Sequence, residues 1–355
     1  MKKIEIIFKN YLLSILLFFN KKDEIKNKEG EKLIPKKVLF IRLNRIGDAL
    51  VTTPLLKLLK DKLNIEIHIL ADKKNYFIYE KQGFVDFVYV YQKGLKGFIQ
   101  YTQILKKEKY DIVVDLHDDV STTVSFLLAL SKNCKIYGLK KKNIRLYTNT
   151  VERLDSSKFH VIDRIMELTK LFNVNFENED INICFYSNEN DFLYVDKFIE
   201  NNYKTKKTFV GINISAGSDA RFWGINRFRQ LVDYFNSFDV NVVIFCTTRE
   251  IKTAFDISRG NVPIFYTHEF STISAFISKL SFFFTPDTSS VHLASMYKIP
   301  VYGLYVKYNT NDVIWYSYKS IHKESITTES TLNNMEFEEV INDLKPFFEK
   351  IYNAK

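Results

Sequence analysis

Two hydrophobic periodicities alternate along the chain. Near-continuous apolar runs occur at "KVLFIRL" (37–43), "IEIHILA" (65–71), "VDFVYVY" (85–91), "DIVVDL" (111–116) and "KIYGL" (135–139). Between them lie stretches of helical period, such as "PLLKLLKDKL" (54–63), with apolar residues at three- and four-residue steps. Pro54 suits a first helical turn. Continuous apolar strands joined by helices predict parallel strands buried on both faces.

The pattern weakens over 173–190, "NVNFENEDINICFYSNEN", which is polar and rich in Asn. It resumes at "TFVGINIS" (208–215), "VNVVIFC" (240–246), "VPIFYT" (262–267), "SFFFTPD" (281–287) and "IPVYGLY" (299–305). The economical reading is two α/β domains, one over 37–180 and one over 190–335. A helix is predicted over 336–355, broken or kinked at Pro346. Residues 1–36 stand apart, ending in a charged tether.

Length and composition agree with that division. A chain of 355 residues is too long for one ordinary core. With 46% hydrophobic and 26% charged residues, it reads as a folded soluble protein. Cys134, Cys184 and Cys246 are widely spaced and odd in number, so a reducing compartment is expected rather than a disulfide framework or a zinc site.

The net charge of +9 is uneven: residues 1–37 hold ten Lys against five acids, or +5. They also hold "IEIIFKNYLLSILLFF" (4–19), flanked by Lys2, Lys3, Lys21 and Lys22. This run is short of the about 20 apolar residues a membrane span needs, and Glu5, Lys9 and Asn10 interrupt it. It leads into "NKKDEIKNKEGEK" rather than the small residues of a signal-peptide cleavage site. Two placements remain. The favoured one is a helix lying on an anionic cytoplasmic leaflet, met through residues 1–22. The other is a helix packed on the protein's own body. Nucleic acid is not an expected partner, because the positive charge clusters with apolar residues rather than along an aromatic-studded face.

Several chemistries lack their residues. No two glycines stand at i and i+2, so there is no dinucleotide fingerprint, and there is no G-x-x-x-x-G-K phosphate loop. No two aspartates stand at i and i+2, so the D-x-D metal clamp is missing, and the six histidines are scattered. Neither a cofactor nor a metal is expected.

Three segments remain as candidates. In "RLNRIGDALVTTPLL" (42–56) a strand ends in Gly-Asp where a helix begins. Asp48 there is either a helix cap or a catalyst; acids suit helix N-termini, and strand ends in open α/β sheets are where ligands bind. In "FFFTPDTSSVHLASMYKIPVYGLY" (282–305), Asp287, Thr288, Ser289 and Ser290 can cap a helix whose free N–H groups suit a diphosphate. His292, one turn in, could face the same ligand; an ordinary capped helix with a half-buried His is the plain alternative. In "GINISAGSDARFWGINRF" (211–228), Ser215, Gly217 and Ser218 let amides approach a phosphate. Arg221 offers charge to a diphosphate or is a surface residue, and Trp223 reads as a core anchor. The run "YGLKKKNIR" (137–145) is by default a solvated basic loop, although beside a membrane it could meet an anionic glycolipid. "DLHDD" (115–119) is by default an exposed acidic loop, with sugar binding by Asp118 and Asp119 the alternative.

Together these segments resemble glycosyltransferase family 9, the heptosyltransferases of lipopolysaccharide core synthesis. The family's Arg-Leu-x-x-Ile-Gly-Asp-x-x-x-x-x-Pro segment is matched from Arg42 to Pro54. Its Pro-Gly-Ala-like loop with Lys-x-Trp is matched by "SAGSDARFW", with Arg221 in the Lys place. Its Asp-Thr-Gly-x-x-His-Leu-Ala is matched by "DTSSVHLA", and "LYTNTVERLDSSKFHVIDRIMEL" (146–168) resembles the segment before the interdomain link, with His-x-x-Asp-Arg. The resemblance covers 37–305, in the family's order. Ser289 departs from the usual Gly, "CTTREI" keeps only Glu250 of a Gly-Gly-acid pattern, and "YNTNDVIWYSY" (308–318) lacks the Gly and Pro the family often shows.

The resemblance implies a GT-B fold, two Rossmann-like domains with parallel sheets facing a central cleft, and an inverting, metal-independent glycosyltransferase. It implies that the N-terminal domain binds a glycolipid acceptor, with Asp48 as base and Arg42, Arg45, Lys141 and His160 as acceptor contacts. It implies that the C-terminal domain binds an ADP-heptose-like donor through Ser215, Gly217, Ser218, Arg221, Glu250, Asp287, Thr288, Ser289 and His292. The enzyme would be peripheral on the inner face of the cytoplasmic membrane. The alternatives are a GT-B transferase using another sugar nucleotide on another surface glycan, and a non-catalytic sugar-nucleotide- or membrane-binding relative.

Overall fold

The computed structural model describes residues 35–205 and 208–354, with Tyr11, Ser14 and Ile15 of an N-terminal helical stretch. The expected membrane-lying helix of residues 1–22 and the tether after it otherwise lie outside the described residues. The chain forms two compact units, Met1–Cys184 and Phe185–Lys355.

The first unit is built on six strands: β1 (Lys37–Arg42), β2 (Glu66–Ala71), β3 (Phe87–Val90), β4 (Ile112–Asp115), β5 (Lys135–Leu139) and β6 (Asn149–Val151). All pairings are parallel, in the order β3-β2-β1-β4-β5-β6. Val38, Leu39, Phe40 and Ile41 of β1 are fully buried on both faces, which is why that run reads as continuous rather than alternating. Val38 faces Ile67 of β2 on one side and Ile112 of β4 on the other. The helix Thr53–Leu63 carries Pro54 in its first turn and ends on Asn64 in the left-handed region. Leu39, Ile41, Tyr101, Val113, Leu127 and Ile136 share one core, under the helices Leu95–Glu108 and Thr122–Leu130.

The second unit repeats the plan with β7 (Thr208–Asn213), β8 (Val240–Cys246), β9 (Ile264–Tyr266), β10 (Phe282–Pro286), β11 (Val301–Val306) and β12 (His322–Thr327). The order is β12-β11-β10-β7-β8-β9, again all parallel. Its core is aromatic. Trp223 is fully buried, tilted against Phe284 at 5.6 Å and stacked on Phe337 at 6.0 Å, and its indole N–H donates to the Met335 carbonyl at 2.9 Å. Trp223 is thus the core anchor its neighbourhood suggests. The C-terminal helix runs from Phe337 to Asn353 through Pro346. Of the break or kink expected at Pro346, the break does not occur. Val340, Leu344 and Phe348 are buried on either side of the proline and hold both halves to the sheet.

The strand order of each sheet reverses once, between β1 and β4 and between β7 and β10. Ligands of open α/β sheets bind outside the carboxyl ends at such switch points. Among the described residues no helix is long and apolar enough to cross a membrane, and all three cysteines are free thiols.

Candidate active site

In the first unit, β1 delivers the chain at its switch point into the short helix Ile46–Leu50. Arg45 occupies the N-cap position and Asp48 lies in the first turn, yet no side chain caps this helix. The cap reading of Asp48 is therefore overturned. Its Oδ1 accepts instead from Arg42 Nη2 at 2.9 Å and Asn44 Nδ2 at 3.3 Å. Among the described residues Oδ2 accepts no hydrogen bond, and the side chain is 17% exposed.

Arg42 holds this turn from below. It is buried; Nε donates to the Asp48 carbonyl at 3.0 Å and Nη1 to the Leu116 carbonyl, beyond β4, at 2.6 Å. A second link crosses the same gap: Leu43 N donates to His117 Nε2 at 3.1 Å. Since Nε2 accepts, the His117 proton sits on Nδ1, facing Asp115 Oδ1 at 2.8 Å. Asp115 also accepts from the His117 amide, Lys141 Nζ at 2.7 Å and the Tyr147 hydroxyl at 2.6 Å. Burial pushes the Asp115 carboxyl up, but the Lys141 ammonium and the His117 hydrogen bond outweigh it and hold the group well below the usual carboxylate range. Burial pushes the His117 imidazole down against the pull of Asp115, which keeps the ring neutral.

Three of the four expected acceptor contacts are buried in internal contacts. Arg42 is buried under Asp48. Lys141 is not a solvated loop residue: its side chain is 3% exposed and paired with Asp115. His160 is buried, and its Nδ1 accepts from Ile162 N as the N-cap of the helix Val161–Met166. Only Arg45 of the four is exposed. Asp118 is likewise not in an exposed acidic loop; it is buried and bonded to Arg153 and Arg164, whereas Asp119 is exposed. The His-x-x-Asp-Arg segment thus serves as a cap and an ion pair. Asp115 and His117, not singled out from the sequence, are the residues that tie β4 to the Asp48 turn.

In the second unit the loops after β7, β8 and β10 converge. Asn213, the last residue of β7, donates through Nδ2 to Thr285 Oγ1 at 2.9 Å and Thr288 Oγ1 at 3.2 Å, and its Oδ1 accepts from Ser215 N at 3.0 Å. This residue, unremarked in the sequence, joins two of the candidate segments across the switch point. Ser215 Oγ donates to Glu250 Oε2 at 3.2 Å, and Thr247 brings both its amide and its hydroxyl to the same oxygen. Arg221 Nη2 pairs with Asp287 Oδ2 at 3.0 Å, and Nη1 donates to the Asp287 carbonyl at 3.1 Å.

Ser215, Glu250, Arg221, Asp287 and Thr288 are therefore brought together. Some expected details differ. Ser289 is the N-cap of the helix Ser290–Met296 but makes no side-chain cap, and the Thr288 hydroxyl faces Asn213. The backbone of Ser289 is right-handed, φ −59° and ψ −19°, so a serine fits there without strain where the family has glycine. Ser218 is extended ahead of the turn Asp219–Arg221. Gly217 has no left-handed φ, and a Cβ on it would meet only Arg221 Nη1, at an ordinary 3.8 Å. His292 does not present its ring to the surface. It is 3% exposed and tilted against Trp315 at 6.1 Å, because the segment after β11 folds back over its helix, with Ser295 Oγ bonded to the Tyr318 carbonyl at 2.8 Å. Among the described residues no three His, Cys, Asp or Glu side chains gather to hold a metal ion.

The family model for glycosyltransferase family 9 (heptosyltransferase) matches residues 99–340. The lipopolysaccharide core heptosyltransferase OpsX of Haemophilus influenzae is 21% identical over 288 residues, 78% of this chain and 80% of that protein. A family 9 glycosyl transferase from Veillonella parvula has a similar structure, with a TM-score of 0.74 at 18% identity, over 89% of this chain and 97% of that one. E. coli heptosyltransferase WaaC with ADP is similar at a TM-score of 0.69 and 14% identity, over 89% of this chain and 99% of that one. The structural likenesses show the fold, two α/β units of GT-B type.

Proposed function

The chain belongs to glycosyltransferase family 9 and is a glycosyltransferase, and we propose that it moves a heptose or a related sugar from a nucleoside-diphosphate donor of the ADP-heptose kind to a glycolipid acceptor of the lipopolysaccharide-core kind. The observation that carries this reading is the half-occupied carboxylate at the end of β1. Asp48 Oδ1 is bound by Arg42 and Asn44, which fixes the side chain and leaves Oδ2 for an incoming hydroxyl.

In this reading residues 37–180 serve the acceptor and residues 190–335 the donor. Asp48 Oδ2 takes the proton of the attacking hydroxyl. The anomeric carbon gains oxocarbenium character as its bond to the diphosphate breaks, and the bonding electrons leave with the phosphate oxygen. Attack on the opposite face inverts the configuration. Arg221 exchanges its Asp287 partner for the departing diphosphate and stabilises that charge together with the amides of 288–290, so no metal is required. Glu250, fixed through one oxygen by Ser215 and Thr247, keeps the other for a ribose hydroxyl. His292 supports the helix start from within. The ADP held by the similar E. coli enzyme favours an adenosine diphosphate donor. The protein would act at the inner face of the cytoplasmic membrane, attached through residues 1–22, with residues 336–355 closing the second unit.

Mass spectrometry of the surface glycolipid tests the reading. A strain lacking the protein is expected to make a glycolipid short by one heptose or related sugar, restored by adding purified enzyme and its nucleotide sugar. An unchanged glycolipid would overturn it.

A further inference from the structure

At the end of β1 the peptide linking Arg42 to Leu43 is held by side chains at both of its polar atoms. Its carbonyl accepts from Asn75 Nδ2 at 3.2 Å, and its N–H donates to His117 Nε2 at 3.1 Å. Asn75 comes from the segment after β2 and His117 from the segment after β4, the two strands that flank β1. Both residues are buried, and each is oriented by a further bond. Asn75 Oδ1 accepts from Asp72 N at 2.9 Å, which turns Nδ2 toward Arg42. His117 Nδ1 faces Asp115 Oδ1 at 2.8 Å, while Asp115 Oδ2 is taken by Lys141 and Tyr147. A buried aspartate–lysine pair gives little net stability once its desolvation is counted. What this one fixes is the tautomer of a ring that must accept from Leu43. Beyond the clamped peptide, Asn44 and Arg45, both exposed, are the whole connection to the helix Ile46–Leu50 that carries Asp48.

We propose that Asn75 and His117 are positioning residues for sugar transfer: by clamping the Arg42–Leu43 peptide from both sides they set where Asp48 aims Oδ2. The proposal rests on the reading of Asp48 as the base. Both side chains act on backbone, not on substrate. Arg42 is tied to the Asp48 carboxylate and to the Asp48 carbonyl, so a tilt of the peptide after Arg42 moves the guanidinium and the carboxylate together. A base works only within hydrogen-bond reach of the proton it removes, and a misplacement of about 1 Å can cost about 100-fold in rate. A merely structural role makes a different demand. It would spread the loss over the whole unit and leave the rate per folded molecule unchanged.

The test compares variants of the full chain. His117→Leu removes the acceptor, and His117→Gln returns an oxygen near the place of Nε2. Asn75→Asp sets an oxygen against the Arg42 carbonyl with little change of shape. His68→Leu is the control, a second buried histidine of the same sheet, bonded to Tyr110 and Glu66 instead of to this turn. Hydrogen exchange read by mass spectrometry reports on residues 43–50. Transfer from ADP-heptose to glycolipid extracted from a strain lacking the protein reports on rate. His117→Leu and Asn75→Asp are expected to speed exchange over 43–50 about fivefold. They should lower kcat by about 10–100-fold, with KM for ADP-heptose unchanged. His117→Gln recovers most of both, and His68→Leu lowers the melting temperature without either effect. Unchanged exchange over 43–50 in both clamp variants would overturn the proposal, as would an equal rise in His68→Leu. Faster exchange with a wild-type kcat would also overturn it, since the clamp would then not aim Asp48. The two readings fail separately. A wild-type chain that transfers no sugar while the exchange contrast holds removes the functional reading, and sugar transfer without the exchange contrast removes the clamp alone.

Discussion

Arg42 and Asp48 are closed on each other. The guanidinium Nη2 stands 2.9 Å from Asp48 Oδ1, and Nε stands 3.0 Å from the Asp48 carbonyl. The third nitrogen crosses to the Leu116 carbonyl. One planar fork thus sets both the Asp48 turn and its distance from β4, a task a point-like ammonium cannot do. Replacing Arg42 by Leu leaves the Leu116 carbonyl without its side-chain donor and the Asp48 carboxylate with Asn44 alone, so stability should fall by about 3 kcal/mol. Arg42→Lys should recover only part of that loss. Urea denaturation reads both; a cost under about 1 kcal/mol for the leucine variant would show that the pair does not hold the turn.

Two glycines of the candidate segments should behave oppositely. A Cβ at Gly138 would run into the Tyr147 ring, whose hydroxyl bonds Asp115. Gly138→Ala should therefore cost about 1–3 kcal/mol through overpacking and a displaced hydrogen bond. A Cβ at Gly217 would make only an ordinary contact with Arg221, and the residue has no left-handed φ. Gly217→Ala should leave stability within about 0.5 kcal/mol, whatever it does to donor binding. Thermal unfolding of the two variants side by side checks the contrast.

The sequence made the interior strands legible because they are buried on both faces and read as unbroken apolar runs. It hid β6 and β12. Asn149–Val151 is a three-residue edge strand, and His322–Thr327 is polar with one neighbour only, so neither needs an apolar pattern. The strand-end motifs were legible because Gly-Asp, Ser-Ala-Gly-Ser and Asp-Thr-Ser-Ser are unusual after apolar runs. Their partners were not. Asn213 and Thr285 are 72 residues apart and Leu43 and His117 are 74 apart, so no local spacing connects them. Lys141 misled for a related reason: in a basic run it looks solvated, yet Asp115, 26 positions earlier, draws it inside.

Acidification should destabilise the fold in two stages. His117 and His68 have imidazoles pushed below their ordinary value, chiefly by burial. The unfolded chain therefore binds these protons first, and stability falls as the pH drops below about 6.5. The Asp115 carboxyl, held below the usual carboxylate range, contributes fully above the unfolded value of about 3.9 and loses that contribution progressively as the pH falls from there to its lower folded value. Denaturation midpoints at pH 7.5, 5.5 and 4 should decrease in that order. His68→Gln should flatten the first stage, and an unchanged slope in that variant would remove His68 from the account.

At the donor end, Arg221 is expected to trade Asp287 for phosphate oxygens. Arg221→Ala should weaken nucleoside diphosphate binding by about 1.5–3 kcal/mol, the range of a hydrogen bond to a charged group. Asp287→Ala should leave that affinity equal or higher, because the carboxylate competes for the same guanidinium. Calorimetry with ADP measures both. Equal weakening by the two substitutions would mean that the ion pair itself builds the site.

The last expectation concerns Asp48. Asparagine keeps the size of the side chain and an oxygen for Arg42, so Asp48→Asn should fold normally, with a modest loss from the weakened ion pair. Since no side chain caps the helix Ile46–Leu50, no capping energy is at stake. What asparagine cannot do is accept a proton. If Oδ2 is the base, transfer should fall by something like 10²–10⁴-fold, the usual contribution of general base catalysis, while affinity for the nucleotide stays near that of the wild type. Melting temperature, ADP affinity and transfer rate must be measured on the same preparation. Near-wild-type transfer would remove Asp48 from the chemistry and leave it as the partner of Arg42. Loss of transfer alone, with the other two unchanged, would identify it as the group that acts on the acceptor hydroxyl.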